Sequence, residues 1–193
     1  TPGISSAASD VYKRQDLSQP AEREEVHNRR IYCNGFVRKD GLFDIEAELT
    51  DHKTYSFPSD FRGEVTPNMP FHRMKVRLTV TGDLVITAAE AVTIAGPYAV
   101  CPAANDVFAD LVGLQIGPGW RRKVSAAIGG RHGCTHITEL MGSVATIAYQ
   151  TRYGEESRQA RLSGNDNAKN SQSRDQRSNA LANSCVAYAV DNT

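Results

Sequence analysis

The sequence lacks three features: a long hydrophobic run, an excess of charge, and closely spaced cysteines. No apolar run approaches the roughly 18 residues needed to cross a bilayer, so no membrane span or interfacial anchor is predicted. The 22 basic and 22 acidic residues cancel, whereas nucleic-acid and anionic-membrane binders carry clustered positive charge. We therefore expect neither nucleic acid nor a membrane as a partner.

The four cysteines are widely separated and contain no C-x-x-C pair: Cys33, Cys101, Cys134 and Cys185. A chain of 193 residues can bury a sufficient core without a disulfide framework, so free thiols in a reducing compartment are predicted. The first fifteen residues show no continuous apolar stretch behind a basic start, the pattern of a secretory signal. A cytoplasmic location is the expectation.

The length and the 40% hydrophobic content fit one ordinary globular domain. The opening stretch TPGISSAASDVYKRQ resembles a translated sequencing-adaptor scar of metagenomic reading frames, and the chain stops within a predicted strand, so both ends are expected to be artificial. The predicted organisation is an adaptor artefact at 1–15, a lead-in at 16–28, a single domain at 29–151, a polar loop or disordered segment at 152–179, and a returning, truncated element at 180–193.

Two β-hairpins are predicted in the first half of the chain. Ile31–Arg38 and Leu42–Thr50 flank an Asp-Gly turn. A second period-two run places Met74, Val76, Leu78 and Val80 on one face, and Gly82-Asp83 then turns the chain into Leu84–Ile94. These runs predict an antiparallel sheet of about four or five strands, in which acidic side chains of the first hairpin can pair with basic side chains of the second.

After Gly96-Pro97 the hydrophobic period lengthens to about 3.6 residues, which predicts about three helices. Asn105 or Asp106 can cap the first helix. The second spans Trp120–Ile128 between glycine-rich turns, and the third runs from His136 to about Tyr149 behind a Thr135 cap. Strands followed by helices indicate an α+β fold.

The densest group of chemically active side chains is the run RHGCTHITE. His136 and Glu139 are three residues apart in a predicted first helical turn, so they share a face and can converge on a metal ion. Equally, Glu139 can be an acid stabilised by the helix N-terminus, and His136 a hydrogen-bonded structural residue. His72 lies two residues before Met74 in the alternating run, so its side chain is expected to point inward with the apolar residues. An inward histidine is either a hydrogen-bonded core residue or a third metal ligand.

Four further residues are candidates for chemistry. Glu46, on a polar strand face, is either an acid–base group or, more commonly, part of a solvated charged ladder. Cys134, at a helix entrance, is either a nucleophile or a packing residue. Arg121 and Arg122 lie behind Gly117-Pro118-Gly119 and can hold an anion such as a carboxylate. Neither a Walker nor a Rossmann pattern is present, so no nucleotide cofactor is expected.

Several motifs together resemble the bacterial family known as domain of unknown function 2889. They are DGLFDIEAELTDHK, PFHRMKVRLTVTGDLVI, YAVCP, LVGLQIGPGWRRKV and GGRHGCTHITELMGSVATIAYQT, which run from about Arg29 to Thr151, and GCTHITEL is the most specific. The resemblance implies functional positions at His72, Cys101, Cys134, His136 and Glu139. It also implies an activity like that of metal-dependent lyases that break down aromatic compounds. In the family pattern histidine usually follows the terminal cysteine, whereas Val186 follows Cys185 here.

We therefore predict a metal-dependent enzyme, of lyase or hydrolase type, for a small aromatic or carboxylated substrate. His72, His136 and Glu139 would bind one divalent ion (Zn²⁺, Fe²⁺ or Mn²⁺), so their ligand atoms are expected within about 4 Å of a common point. Substrate binding is assigned to Arg121 or Arg122 and proton transfer to Glu46 or Cys134. The alternative is a non-catalytic small-molecule or protein-binding domain, and self-association into a homo-oligomer is compatible with either.

Overall fold

Two antiparallel hairpins form a four-stranded sheet, and the helices that follow in the chain pack against one of its faces. The computed structural model describes residues 17–164, 182–183, 185 and 188–190. The strands are β1 (His27–Val37), β2 (Phe43–Lys53), β3 (Phe57–Ser59), β4 (Gly63–Val65), β5 (His72–Val80) and β6 (Ile86–Ala95). The helices are a 3₁₀ helix (Cys101–Leu111), α1 (Trp120–Ile128), a short 3₁₀ helix (Gly130–His132) and α2 (Thr135–Leu162). The predicted α+β class is confirmed.

The main sheet has the order β1-β2-β5-β6, so strands β2 and β5 lie at its centre, and β3 and β4 form a separate small sheet. Alternation buries one face of both central strands: Phe43, Ile45, Ala47 and Leu49 in β2, and Met74, Val76, Leu78 and Val80 in β5. The opposite face carries the expected charge ladder, in which Glu48 contacts Arg73 at 2.6 Å and Lys75 at 3.4 Å.

Helix α2 covers the buried face of the sheet. Its apolar stripe is formed by Ile137, Leu140, Met141, Val144 and Ala148, and burial of each large side chain in such a stripe contributes about 1.5–3 kcal/mol. Trp120 joins α1 to α2 by donating its indole N–H to the Met141 carbonyl oxygen, with 2.8 Å between the heavy atoms. Among the described residues, no helix is both long enough and apolar enough to cross a membrane.

The helices differ from the prediction at three places, one of which is the start of α2: the N-cap is Cys134, and Thr135, the predicted cap, is the first helical residue. The first predicted helix is a 3₁₀ helix that begins at Cys101, ahead of a proline in its first turn, and Asn105 accepts a hydrogen bond from Thr93 instead of capping a helix. Helix α2 continues to Leu162, so the predicted loop is wrong for residues 152–162. Ion pairs one turn apart stabilise this polar part of the helix: Arg152 with Glu156, and Arg158 with Glu155.

The predicted limits of the domain also differ from the structure. Strand β1 begins at His27, inside the stretch expected to be a lead-in. Residues 1–15, 165–179 and much of 180–193, Val186 included, lie outside the described residues, so those predictions are not addressed by the structure. The four cysteines are free thiols, as expected.

Candidate metal centre

A row of three polar side chains crosses the buried face of the sheet at one end. Asp51 of β2 is directly paired with Arg29 of β1 and with His72 of β5. Because directly paired residues project to the same side of a sheet, all three side chains meet there. Asp51 follows Leu49 on the inward side of β2 and is only 1% exposed, and His72 is 8% exposed. A carboxylate buried to this degree needs charged or hydrogen-bonding partners.

The first turn of α2 brings a second imidazole to this row. Nδ1 of His72 lies 3.0 Å from Oδ2 of Asp51, and Nε2 of His136 lies 3.8 Å from the same oxygen. The two imidazole rings are 3.8 Å apart between centroids and tilted by 32°. One potential ligand atom from each of Asp51, His72 and His136 lies within 4.8 Å of the other two. Two imidazoles and a carboxylate are a common donor set for transition metals.

The start of α2 is held in place by a close backbone approach. A Cβ atom added to Gly133 would lie 1.9 Å from the Ile128 carbonyl oxygen at the end of α1, so only glycine fits there. Thr138 donates its hydroxyl hydrogen to the carbonyl oxygen of Cys134 at 2.9 Å. These contacts fix the turn between α1 and α2 and thereby the position of His136.

Arg29 is the main charged partner of Asp51. Its Nε and Nη2 atoms donate to Oδ1 and Oδ2 of the carboxylate at 2.7 and 2.8 Å, and its Nη1 donates to Glu139. His27 also approaches, with Nε2 3.6 Å from Oδ1 of Asp51. The Arg29 side chain is 30% exposed, whereas that of Glu139 is 52% exposed. Arg29 therefore links a buried carboxylate to a surface carboxylate.

Burial and charge set the protonation of the group. Burial opposes ionisation of Asp51, but the hydrogen bonds and charge of Arg29 outweigh it and hold the pKa of this carboxyl below its usual range. Burial, then the neighbouring charge of His136, lowers the pKa of His72 to about 4. The pKa of His136 is lowered too, by burial and then by the charge of Arg29. At neutral pH the group thus has one carboxylate and two neutral imidazoles.

A cleft of about 420 Å³ adjoins the two imidazoles. Its lining is mostly apolar and includes a few polar side chains. The lining residues are His72, Met74, Pro97, Tyr98, Val100, Cys101, Ala103, Ala104, Arg131, His132, Gly133, Cys134, Thr135 and His136. An apolar hollow with a few convergent polar groups is the usual form of a small-molecule site. The sequence RHGCTH, residues 131–136, thus forms part of the cleft lining.

The structure brings together two of the three predicted ligands. The metal-compatible group of the described residues contains His72 and His136, but Asp51 takes the place assigned to Glu139. Glu139 is directed to Arg29 instead, so the expectation that it converges with the two histidines is wrong. Asp51 is not among the ligands predicted from the sequence. A signal for it exists, because Asp51 continues the alternating series of inward residues Phe43, Ile45, Ala47 and Leu49 and is the one acid in that series.

The other candidates lie at different distances from the group. Cys134 lines the cleft, and its Sγ atom is 3.7 Å from Nδ1 of His136. Glu46 lies on the outer face of the sheet, 3.6 Å from Arg77, and therefore cannot serve this group. Arg121 is exposed and lines a separate cleft beside α1, and Arg122 is exposed on the same helix. The arginine of the histidine-lined cleft is Arg131.

Comparison with known proteins gives one result. The model of the family described as "Protein of unknown function (DUF2889)" matches residues 27–150, which is more than half of the chain. The matched region starts with β1 and includes the whole sheet, α1 and the first half of α2. Asp51, His72 and His136 all lie inside it. No curated protein and no solved structure matches the chain.

Proposed function

Because the chain belongs to the family described as "Protein of unknown function (DUF2889)", we propose its function from the site: a metal-dependent enzyme whose ion is held by Asp51, His72 and His136. The observation that carries this proposal is the convergence of three potential ligand atoms within 4.8 Å. Zn²⁺, Fe²⁺ and Mn²⁺ suit two imidazoles and a carboxylate, with further coordination positions left for substrate or water.

The distances within the group fit a single ion. Two ligand atoms bound to a tetrahedral ion at 2.0–2.2 Å are separated by about 3.4 Å. The Asp51 Oδ2 atom lies 3.0 Å from His72 Nδ1 and 3.8 Å from His136 Nε2, one on either side of that value. These two separations support a shared ion at Oδ2 of Asp51, with the three ligand atoms within 4.8 Å of one another.

The protonation state also favours metal binding. A metal ion binds imidazole through an unprotonated nitrogen, and a carboxylate in its ionised form. The lowered pKa values of His72, His136 and Asp51 provide these forms at neutral pH. Little proton release would then accompany binding at that pH.

The cleft indicates the kind of substrate. Its apolar walls suit a small aromatic or other apolar body, and Arg131 at its rim can pair with a carboxylate. Arg131 thus replaces Arg121 and Arg122 as the proposed substrate-binding residue. When bound, the ion would polarise a substrate oxygen for lyase or hydrolytic chemistry, and Cys134 is the neighbouring group that can exchange a proton with His136.

A non-catalytic binding domain is the second candidate, favoured by the contacts of Arg29. Its guanidinium already pairs with both Asp51 oxygens, so the group satisfies its own charge as a structural network does. In that case the cleft would bind a small molecule or peptide without a metal. The four free thiols fit the reducing cytoplasm under either proposal.

Metal titration of the purified protein, produced without a histidine tag, tests the proposal. We expect one equivalent of Zn²⁺ per chain by calorimetry and elemental analysis, and loss of binding in His72→Ala. The matched control is His132→Ala, because His132 is exposed and lines the same cleft but is outside the group. A folded wild-type protein that binds no Zn²⁺, Fe²⁺ or Mn²⁺ would leave the binding-domain candidate.

A further inference from the structure

We infer that Arg29 sets the affinity and the selectivity of this site for metal ions. We also infer that Glu139 reduces the opposition of Arg29 to metal binding, because it offers the guanidinium a second carboxylate partner. The inference rests on the proposed metal centre and assigns roles to two residues that are not ligands in it. The observation behind it is that the positive charge of Arg29 is already paired with Asp51, the one carboxylate among the three potential ligands.

The contacts of Arg29 place it in competition with a metal ion. Its Nη2 atom lies 2.8 Å from Oδ2 of Asp51, the oxygen that also faces both histidines. An ion bound at this oxygen would lie a few ångströms from the guanidinium, and like charges at that separation repel strongly in a partly buried site. Arg29 must therefore weaken metal binding while it remains in this position.

Glu139 provides a second partner for the same guanidinium. It already accepts a hydrogen bond from Nη1 of Arg29, and its side chain is half exposed, so it can follow a movement of the arginine. Because Arg29 is itself 30% exposed on the edge strand β1, a shift toward Glu139 needs no rearrangement of the core. Glu139 thus lowers the cost of metal entry without being a ligand.

This arrangement discriminates between kinds of metal. Zn²⁺ binds strongly to imidazole, whereas Mn²⁺ depends more on carboxylate oxygen. With the Asp51 charge compensated by Arg29, the two imidazoles of His72 and His136 remain the attractive ligands. The site should therefore favour Zn²⁺ over Mn²⁺ more strongly than its ligand set alone predicts.

Calorimetric titration of Zn²⁺ and Mn²⁺ into untagged wild type and Arg29→Gln tests the inference. We expect Arg29→Gln to bind Zn²⁺ at least about tenfold more tightly, and to gain more for Mn²⁺ than for Zn²⁺. The matched control is Arg30→Gln, which removes the same charge from the opposite face of the same strand and should change neither affinity. Circular dichroism confirms that each variant is folded.

Glu139→Gln is the second variant, because an exposed residue can be changed even if Arg29→Gln does not fold. Its Zn²⁺ affinity should fall severalfold, since Arg29 then has only Asp51 as a carboxylate partner. Unchanged or weaker Zn²⁺ binding by folded Arg29→Gln, or unchanged or tighter binding by Glu139→Gln, overturns the inference but leaves the metal centre standing. If wild type and variants bind neither ion, the proposed function itself fails and the inference fails with it.

Discussion

The carboxylate of Asp51 and the imidazole of His72 face each other across the central strands β2 and β5, with Oδ2 3.0 Å from Nδ1. Both residues occupy inward positions that are otherwise filled by apolar side chains. A buried acid at such a position lowers stability unless its charge is matched. The pair therefore connects the stability of the sheet to the chemistry of the candidate site.

Asp51→Asn should destabilise the protein markedly. The substitution keeps the shape of the side chain but leaves the guanidinium of Arg29 without its main partner, and breaking a buried ion pair costs about 3–5 kcal/mol. Because Arg29 is 30% exposed and keeps Glu139, its charge is not left buried and unpaired, so we expect a smaller loss, about 1–3 kcal/mol, in urea-induced unfolding. Asp40→Asn is the control, since Asp40 pairs with Arg38 at the surface. Equal stability of the two variants would contradict this account.

His136→Ala should abolish metal binding and leave the fold largely intact. His136 lies in the first turn of α2 and is outside the apolar stripe, so its loss should lower the free energy of unfolding by only about 0.5–2 kcal/mol. Elemental analysis and thermal unfolding measure the two effects. His52→Ala removes a histidine from a neighbouring position of β2, outside the group, and should retain the metal. Full metal occupancy in His136→Ala would exclude His136 as an essential ligand.

Cys134→Ala should weaken metal binding by about tenfold without abolishing it. The Sγ atom lies 3.7 Å from Nδ1 of His136, the nitrogen that faces away from Asp51, and partners of this kind orient a ligand and support its basicity. Cys134→Ser retains a polar partner and should recover most of the affinity. If the alanine variant binds Zn²⁺ as tightly as wild type, the thiol is a packing residue.

Local patterns predicted most of the fold. Period-two alternation identified both hairpins, and glycines placed α1 at Trp120–Ile128, as observed. The polar end of α2 was missed because its composition suggests a loop, whereas charges three and four residues apart stabilise a helix without an apolar stripe. The 3₁₀ helix at Cys101–Leu111 was mistaken for an α-helix because its buried Phe108 and Leu111 fit either geometry.

The site was only partly predictable, because its composition depends on pairing between distant strands. Helical spacing correctly placed His136 and Glu139 in one turn, but it gives no information on what each side chain meets. The register of β1 with β2 brings Arg29 beside Asp51, and Arg29 then binds Glu139. Asp51 and His72 are 21 residues apart, and only the pairing of β2 with β5 joins them.

Glu46→Gln should leave metal affinity unchanged. Glu46 is on the solvent-facing side of the sheet in a ladder with Arg77, so the sheet itself separates it from the two histidines. Exposed ion pairs contribute roughly 0–1 kcal/mol, so the free energy of unfolding should change by less than about 1 kcal/mol. Zn²⁺ titration and urea unfolding of the variant check both points. A tenfold change in Zn²⁺ affinity would show that the outer face does contribute to the site.

Gly133→Ala and Gly142→Ala form a matched pair for the turn that positions His136. A Cβ at Gly133 would lie 1.9 Å from the Ile128 carbonyl oxygen, so the backbone must shift, at a cost of about 1–3 kcal/mol. Gly142 lies within α2 with no atom within 4 Å of an added Cβ, and alanine there should stabilise the helix by about 0.5–1 kcal/mol. Because the shift at Gly133 moves the first turn of α2, Zn²⁺ affinity should fall in Gly133→Ala alone. If Gly133→Ala is destabilised and Gly142→Ala stabilised in thermal unfolding, but both bind Zn²⁺ as wild type does, the turn does not control the metal centre. That result would contradict the predicted effect of Gly133 on Zn²⁺ affinity.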